Sequence, residues 1–76
     1  MARTFYVWAK WDAEADVWYT AETSVDGLAT EADSLERLRD RLLTMIPDLL
    51  DDAIPPDARL HIIAETDDTI PLQAAE

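Results

Sequence analysis

Apolar and aromatic residues crowd two short runs early in the chain, and after Asp33 the apolar positions take helical spacing. Thr4 to Trp11 is rich in aromatic residues and predicts a strand. One parity carries Phe5, Val7, Ala9 and Trp11, and the other carries Tyr6, Trp8 and Lys10. Asp12 to Asp16 is a polar connector suited to a hairpin loop. Val17 to Thr23 predicts a returning strand, with Val17, Tyr19 and Ala21 on one side and Trp18, Thr20 and Glu22 on the other. Ser24 to Gly27 reads as a turn in which the glycine supplies positive φ, and Leu28 to Thr30 as a short third strand.

Leu35, Leu38, Leu42, Met45, Ile46 and Leu49 recur at spacings of three and four, which places them on one helical face. Asp33 stands at the expected N-cap with Glu36 three residues on, a variant of the capping box. Asp33 with Arg37 and Glu36 with Arg39 are spaced as surface ion pairs. Pro47 predicts an end to this helix near Ile46, followed by a kink and a short second turn through Leu50. Pro55 and Pro56 stop both helix and ladder. Arg59 to Thr66 predicts the last strand, Thr69 to Leu72 an extension held at a sheet edge by Pro71, and Gln73 to Glu76 a frayed end.

The predicted order is β-β-β-α-β: an α+β domain over residues 1–76, with a mostly antiparallel sheet and one kinked helix on one face. The connection from the third strand through the helix to the fourth is the expected parallel unit, right-handed by the usual rule. One helix covers one face of a sheet, so the other face must be polar or must meet something. If Phe5, Val7, Val17 and Tyr19 face the helix, Trp8 and Trp18 point outward beside Tyr6. Trp and Tyr are favoured at interface centres, which makes Tyr6, Trp8 and Trp18 the expected interface residues.

Composition narrows the classes further. A chain of 76 residues lies near the lower limit for a self-sufficient core, and it has no cysteine to staple it. Self-association, as a homodimer, is the remaining common remedy. The net charge of −11, from six Lys+Arg against seventeen Asp+Glu, leaves no wide basic face for nucleic acid. The same field repels anionic lipid and attracts basic partners. The chain opens on no basic and apolar leader and holds no apolar run of the ~20 residues that span a bilayer, so a cytoplasmic protein is expected.

Catalytic and metal chemistry finds little support. Asp12, Glu14 and Asp16 carry a calcium-loop spacing, but the glycine and glutamate that an EF-hand requires are Val17 and Thr23. A solvated hairpin loop is the better reading. His61 is the only histidine, no nucleophile motif surrounds it, and its place in a strand makes it a packed or surface residue. With one glycine there is no phosphate-binding loop. The expectation is a protein that is not an enzyme, with no catalytic residue, metal or cofactor.

Across Val7 to Leu50 the order of residues resembles a known family. The run WDAEADVWYTAETSVDGLATEADSLERL, followed by MIPDLL, is similar to HicB-like antitoxin domains, and within them to the short stand-alone branch catalogued as a domain of unknown function. Asp26-Gly27-Leu28, Thr30 to Asp33, Leu35 and Ile46-Pro47 carry the likeness. The resemblance implies a partial ribonuclease-H-like fold without a nuclease site, assembly into dimers or larger species, and a small basic RNA-cleaving toxin as partner. Family members bind operator DNA through a separate C-terminal segment; ten residues follow Thr66 here, so direct DNA contact is not expected. Two other functions stand as alternatives: an assembly domain with no toxin, and a metal-dependent hydrolase that keeps ribonuclease-H-like chemistry.

Overall fold

A computed structural model describes residues 3–72. The chain folds as an α+β domain with a four-stranded mixed sheet and one long helix. The strands are β1 (Thr4–Asp12), β2 (Val17–Thr23), β3 (Glu31–Ala32) and β4 (Arg59–Glu65), and the helix is α1 (Leu35–Leu50). The sheet order is β3-β2-β1-β4, with β1–β2 and β2–β3 antiparallel and β1–β4 parallel. The helical crossover thus starts from one edge of the sheet and ends at the other. β3 and β4 run in the same direction, as expected of the unit they flank, but β2 and β1 lie between them.

The loops follow local chemistry. Asp12 Oδ1 accepts the N–H groups of Glu14 (3.0 Å) and Ala15 (3.3 Å), which folds the chain back between β1 and β2. Asp16 completes the turn with φ 56°. After β2, Ser24 continues the ladder: its N–H donates to Tyr6 O, and its Oγ accepts from Tyr6 N–H, both at 3.0 Å. Gly27 then takes φ +80°, the left-handed conformation that the turn needs. Leu28 and Val25 from this turn enter the core instead of forming a strand, and β3 begins three residues later than predicted, at Glu31. Thr20 and Thr30 tie the approach to β3, since Thr20 Oγ1 accepts from Thr30 N–H (3.1 Å).

Helix α1 differs from the prediction at both ends. Ser34, not Asp33, is the N-cap: it has extended φ/ψ (−143°, 157°), and its Oγ accepts from Arg37 N–H at 3.1 Å. Asp33, freed from capping, forms the i,i+4 ion pair with Arg37 at 3.3 Å. Arg39 pairs with Asp40 (3.6 Å) and not with Glu36. Pro47 does not end the helix, which continues through it to Leu50 and closes in a 3-10 turn over Asp51–Ala53. Leu38, Leu42 and Ile46 are the buried stripe, whereas Leu35 and Leu49 at its margins are exposed. The core lies between this stripe and Phe5, Val7 and Ala9 of β1, closed by Val25, Leu28 and Ala32. Beyond β4, Thr66–Leu72 carries no strand, so the predicted edge extension does not form. The frayed end expected at 73–76 lies outside the described residues.

One irregularity reorganises the sheet faces. Trp8 pairs with Glu22 but Ala9 pairs with Thr20, so Ala21 is an extra residue, a β-bulge opposite the Trp8–Ala9 step. Side chains alternate strictly along a regular strand, and one extra residue therefore inverts the faces of everything beyond it. Parity alone puts Val17 and Tyr19 under the helix and Trp18 outside; the bulge exchanges them. Deleting Ala21 should regularise the ladder and leave Trp18 and Tyr19 on their present faces, at a cost on the order of 1 kcal/mol. Removing Thr20 as well should invert them and abolish cooperative folding. Urea titrations of the two deletion variants would check this, and equal damage from both would disprove the bulge.

Candidate interaction surface

The face of the sheet turned away from α1 carries the aromatic residues that the core does not use. Register sets its rows. Tyr6 lies opposite His61, Trp8 opposite Ile63 and Glu22, and Lys10 opposite Glu65 and Tyr19, with Glu31 next to Tyr19 on β3. The Tyr6 and Trp8 rings stack along β1 with centroids 6.3 Å apart and planes at 28°. His61 meets the Tyr6 ring edge-on at 5.6 Å and 65°. These contacts hold the side chains in place. Tyr6 remains 43% exposed and Tyr19 37%, while Trp8 and Ile63 are half-buried.

The structure brings together two of the three expected interface residues. Tyr6 and Trp8 adjoin on the open face, as predicted. Trp18 does not join them: it lies on the helix side, packs against the core cluster, and meets Trp11 at 5.5 Å and 60°. The bulge at Ala21 is the cause. His61, read from the sequence as a packed or surface strand residue, lies exposed on this face, and Ile63, which was not singled out, joins it. The signal for them was the parity of β4, readable once Leu60 and Ile62 are known to pack on the core.

Charge on this face is mixed. Glu22, Glu31 and Glu65 accompany Lys10, and Arg59 at the start of β4 falls on the same parity as His61. The greater part of the acidic charge lies elsewhere, on the hairpin loop, the helix exterior and the segments flanking β4. The aromatic rows thus form an apolar centre within a negative surround.

A second concavity follows β3 and the start of α1. Its volume is about 730 Å³, and Thr30, Glu31, Asp33, Arg37 and Arg41 are among its lining residues. Asp33 and Arg37 neutralise one another there. Neither histidine nor cysteine is among its lining residues. Asp12, the first acid of the calcium-like spacing, spends an oxygen on two backbone N–H groups of its own loop. Among the described residues no group of three or more potential ligands converges on a metal position. No described helix is long and apolar enough to cross a membrane.

Comparison with known proteins gives kinship without function. A family model described as "Domain of unknown function (DUF1902)" matches residues 4–74. No curated protein matches the chain. Among solved structures, the hypothetical protein TTHA1013 from the extremely thermophilic bacterium Thermus thermophilus is 43% identical, with a TM-score of 0.73. That match covers 93% of this chain and 99% of the other.

Proposed function

Since the chain belongs to the family described as a domain of unknown function (DUF1902), we propose a function from its surface: a non-catalytic protein-interaction module that binds another polypeptide across the open sheet face. One observation carries the reading, the stacked Tyr6–Trp8 pair left uncovered by the protein's own helix. Aromatic side chains lose little conformational entropy on binding and bury a large area, which suits them to the centre of an interface.

The partner is a basic protein. A net charge of −11 steers a cationic partner toward the domain, and the apolar rows then supply the short-range contact. The HicB-like resemblance narrows the partner to a small RNA-cleaving toxin, which the module would neutralise by covering its active surface in the cytoplasm. A toxin-free assembly domain is the alternative, and the exposed edge of β4 favours it because that edge can pair with another copy.

Affinity capture from the native host at low and moderate salt tests both readings. A basic protein should be retained by the wild-type chain at low salt and lost when Tyr6→Ala and Trp8→Ala are combined. Capture of no basic protein at either salt concentration removes the toxin, and capture unaffected by the double substitution removes the sheet face as its site.

A further inference from the structure

The segment after β4 holds the two most exposed large hydrophobic residues of the described chain, Ile70 at 90% and Leu72 at 92%. The molecule is elongated: the Cα atoms extend 60 × 24 × 18 Å, with a radius of gyration of 15.8 Å against roughly 11 Å for a compact chain of this length. An apolar segment held out in water implies a receiving surface. One exists at the far end of the domain, a cleft of about 80 Å³ between α1 and β4 lined by Phe5, Leu43, Ile46, Pro47, Ile54 and Leu60, among others. That is close to the space of three waters at about 30 Å³ each, room for one branched aliphatic side chain.

The segment cannot reach this cleft in its own chain. Thr66 and Asp68 line one shallow concavity with Trp11 and Trp18, at the end of the sheet opposite to Phe5 and Leu60. From Asp68, two further residues to Ile70 reach at most about 7 Å, and four to Leu72 at most about 14 Å. The return to Leu60 along β4 is about 17 Å. A second copy removes the difficulty. A two-fold axis beside β4 and perpendicular to the sheet sets the two β4 edges antiparallel, so the end of each strand meets the start of the other. The root of the arm, beside Trp11 and Trp18, and the cleft both lie on the helix side of the sheet, and this operation keeps those sides together.

We infer that residues Thr66–Leu72 form an exchanged arm: each inserts Ile70 or Leu72 into the α1–β4 cleft of a second copy of this chain, across paired β4 edges. Charge complements the fit. Asp67 and Asp68 precede the apolar pair, while Arg59 borders the cleft and the Arg3 guanidinium lies 4.7 Å from the Phe5 ring centroid at its side. Among the described residues neither arginine forms an ion pair within the chain. Pro71 donates no N–H, so the arm docks by its side chains and does not add a strand. Its fixed φ also lowers the entropy lost on docking. The arm and the cleft lie apart from the stacked Tyr6–Trp8 pair, with Arg59 at the sheet edge between the two surfaces.

Sedimentation equilibrium of the full chain over a range of concentrations tests the proposal. The wild type should be a dimer, and Ile70→Asp with Leu72→Asp should raise its dissociation constant by about tenfold or more without changing thermal stability of the monomer. Arg59→Asp should weaken association likewise, and Asp67→Arg with Asp68→Arg added to it should restore the dimer. Tyr6→Ala with Trp8→Ala should leave the dimer unchanged, which separates this interface from partner binding. A monomeric wild type, or a dimer indifferent to the arm substitutions, overturns the exchange.

Discussion

Leu38→Ala should lower the free energy of unfolding by about 2–5 kcal/mol. Leu38 and Leu42 are the largest side chains with no exposed surface, together with Val7, which lies on the sheet side of the core. Truncation there removes the transfer energy of the side chain and leaves a cavity that a helix anchored at Ser34 cannot close by sliding. The scale of the domain makes this severe. At 76 residues its whole stability is roughly 4–11 kcal/mol, so the variant retains little margin. Leu43 is the internal control: it is 53% exposed on the same helix, and Leu43→Ala should cost about 1 kcal/mol or less. Chemical denaturation followed by tryptophan fluorescence measures both. Similar midpoints for the two variants would show that the core lies elsewhere.

The second large effect separates two tryptophans that sequence parity places together. Trp18→Ala should destabilise the fold by about 2–4 kcal/mol, since Trp18 packs on the core cluster and on Trp11. Trp8→Ala should cost about 1 kcal/mol, the loss of its stack on Tyr6, and should impair partner binding instead. The opposite pattern, with a costly Trp8 and a silent Trp18, would return Trp18 to the outer face and remove the bulge from the account. Acrylamide quenching gives an independent reading, because only a tryptophan on the open face gains protection when a partner is bound.

Much of the architecture is legible in local patterns, for identifiable reasons. The aromatic-rich run of β1, the three-four spacing from Leu35 onward and the proline pair at Pro55–Pro56 each reflect short-range preferences, and each marks an element or a break where expected. Gly27 is readable because a positive φ at a tight turn selects glycine. Asp33–Arg37 is readable because residues four apart on a helix are neighbours. The cap falls one residue later than expected: Asp33 and Ser34 are both good caps, and their competition is settled by where the chain leaves β3. Pro47 reads as a break since its lost hydrogen bond is a local cost, yet packing of Leu42 and Ile46 on the sheet carries the helix through it.

The candidate surface is half legible. Tyr6 and Trp8 can be placed outward from β1 alone, because Phe5, Val7 and Ala9 fill the inner parity without interruption. Trp18 cannot, because a bulge leaves no mark in the composition of β2; Ala21 is an ordinary strand residue until its neighbour strand shows that it has no partner. The same holds for His61 and Ile63, which adjoin Tyr6 and Trp8 only because β4 crosses the whole sheet to lie parallel to β1. Residue order alone therefore specified β1, β2, β4 and the body of α1, the acidic character and one row of the open face, all of which depend on neighbours along the chain. Strand order, the inversion of β2, and the separation of arm from cleft arise between residues far apart in sequence, where pairing and burial are settled only by the assembled sheet.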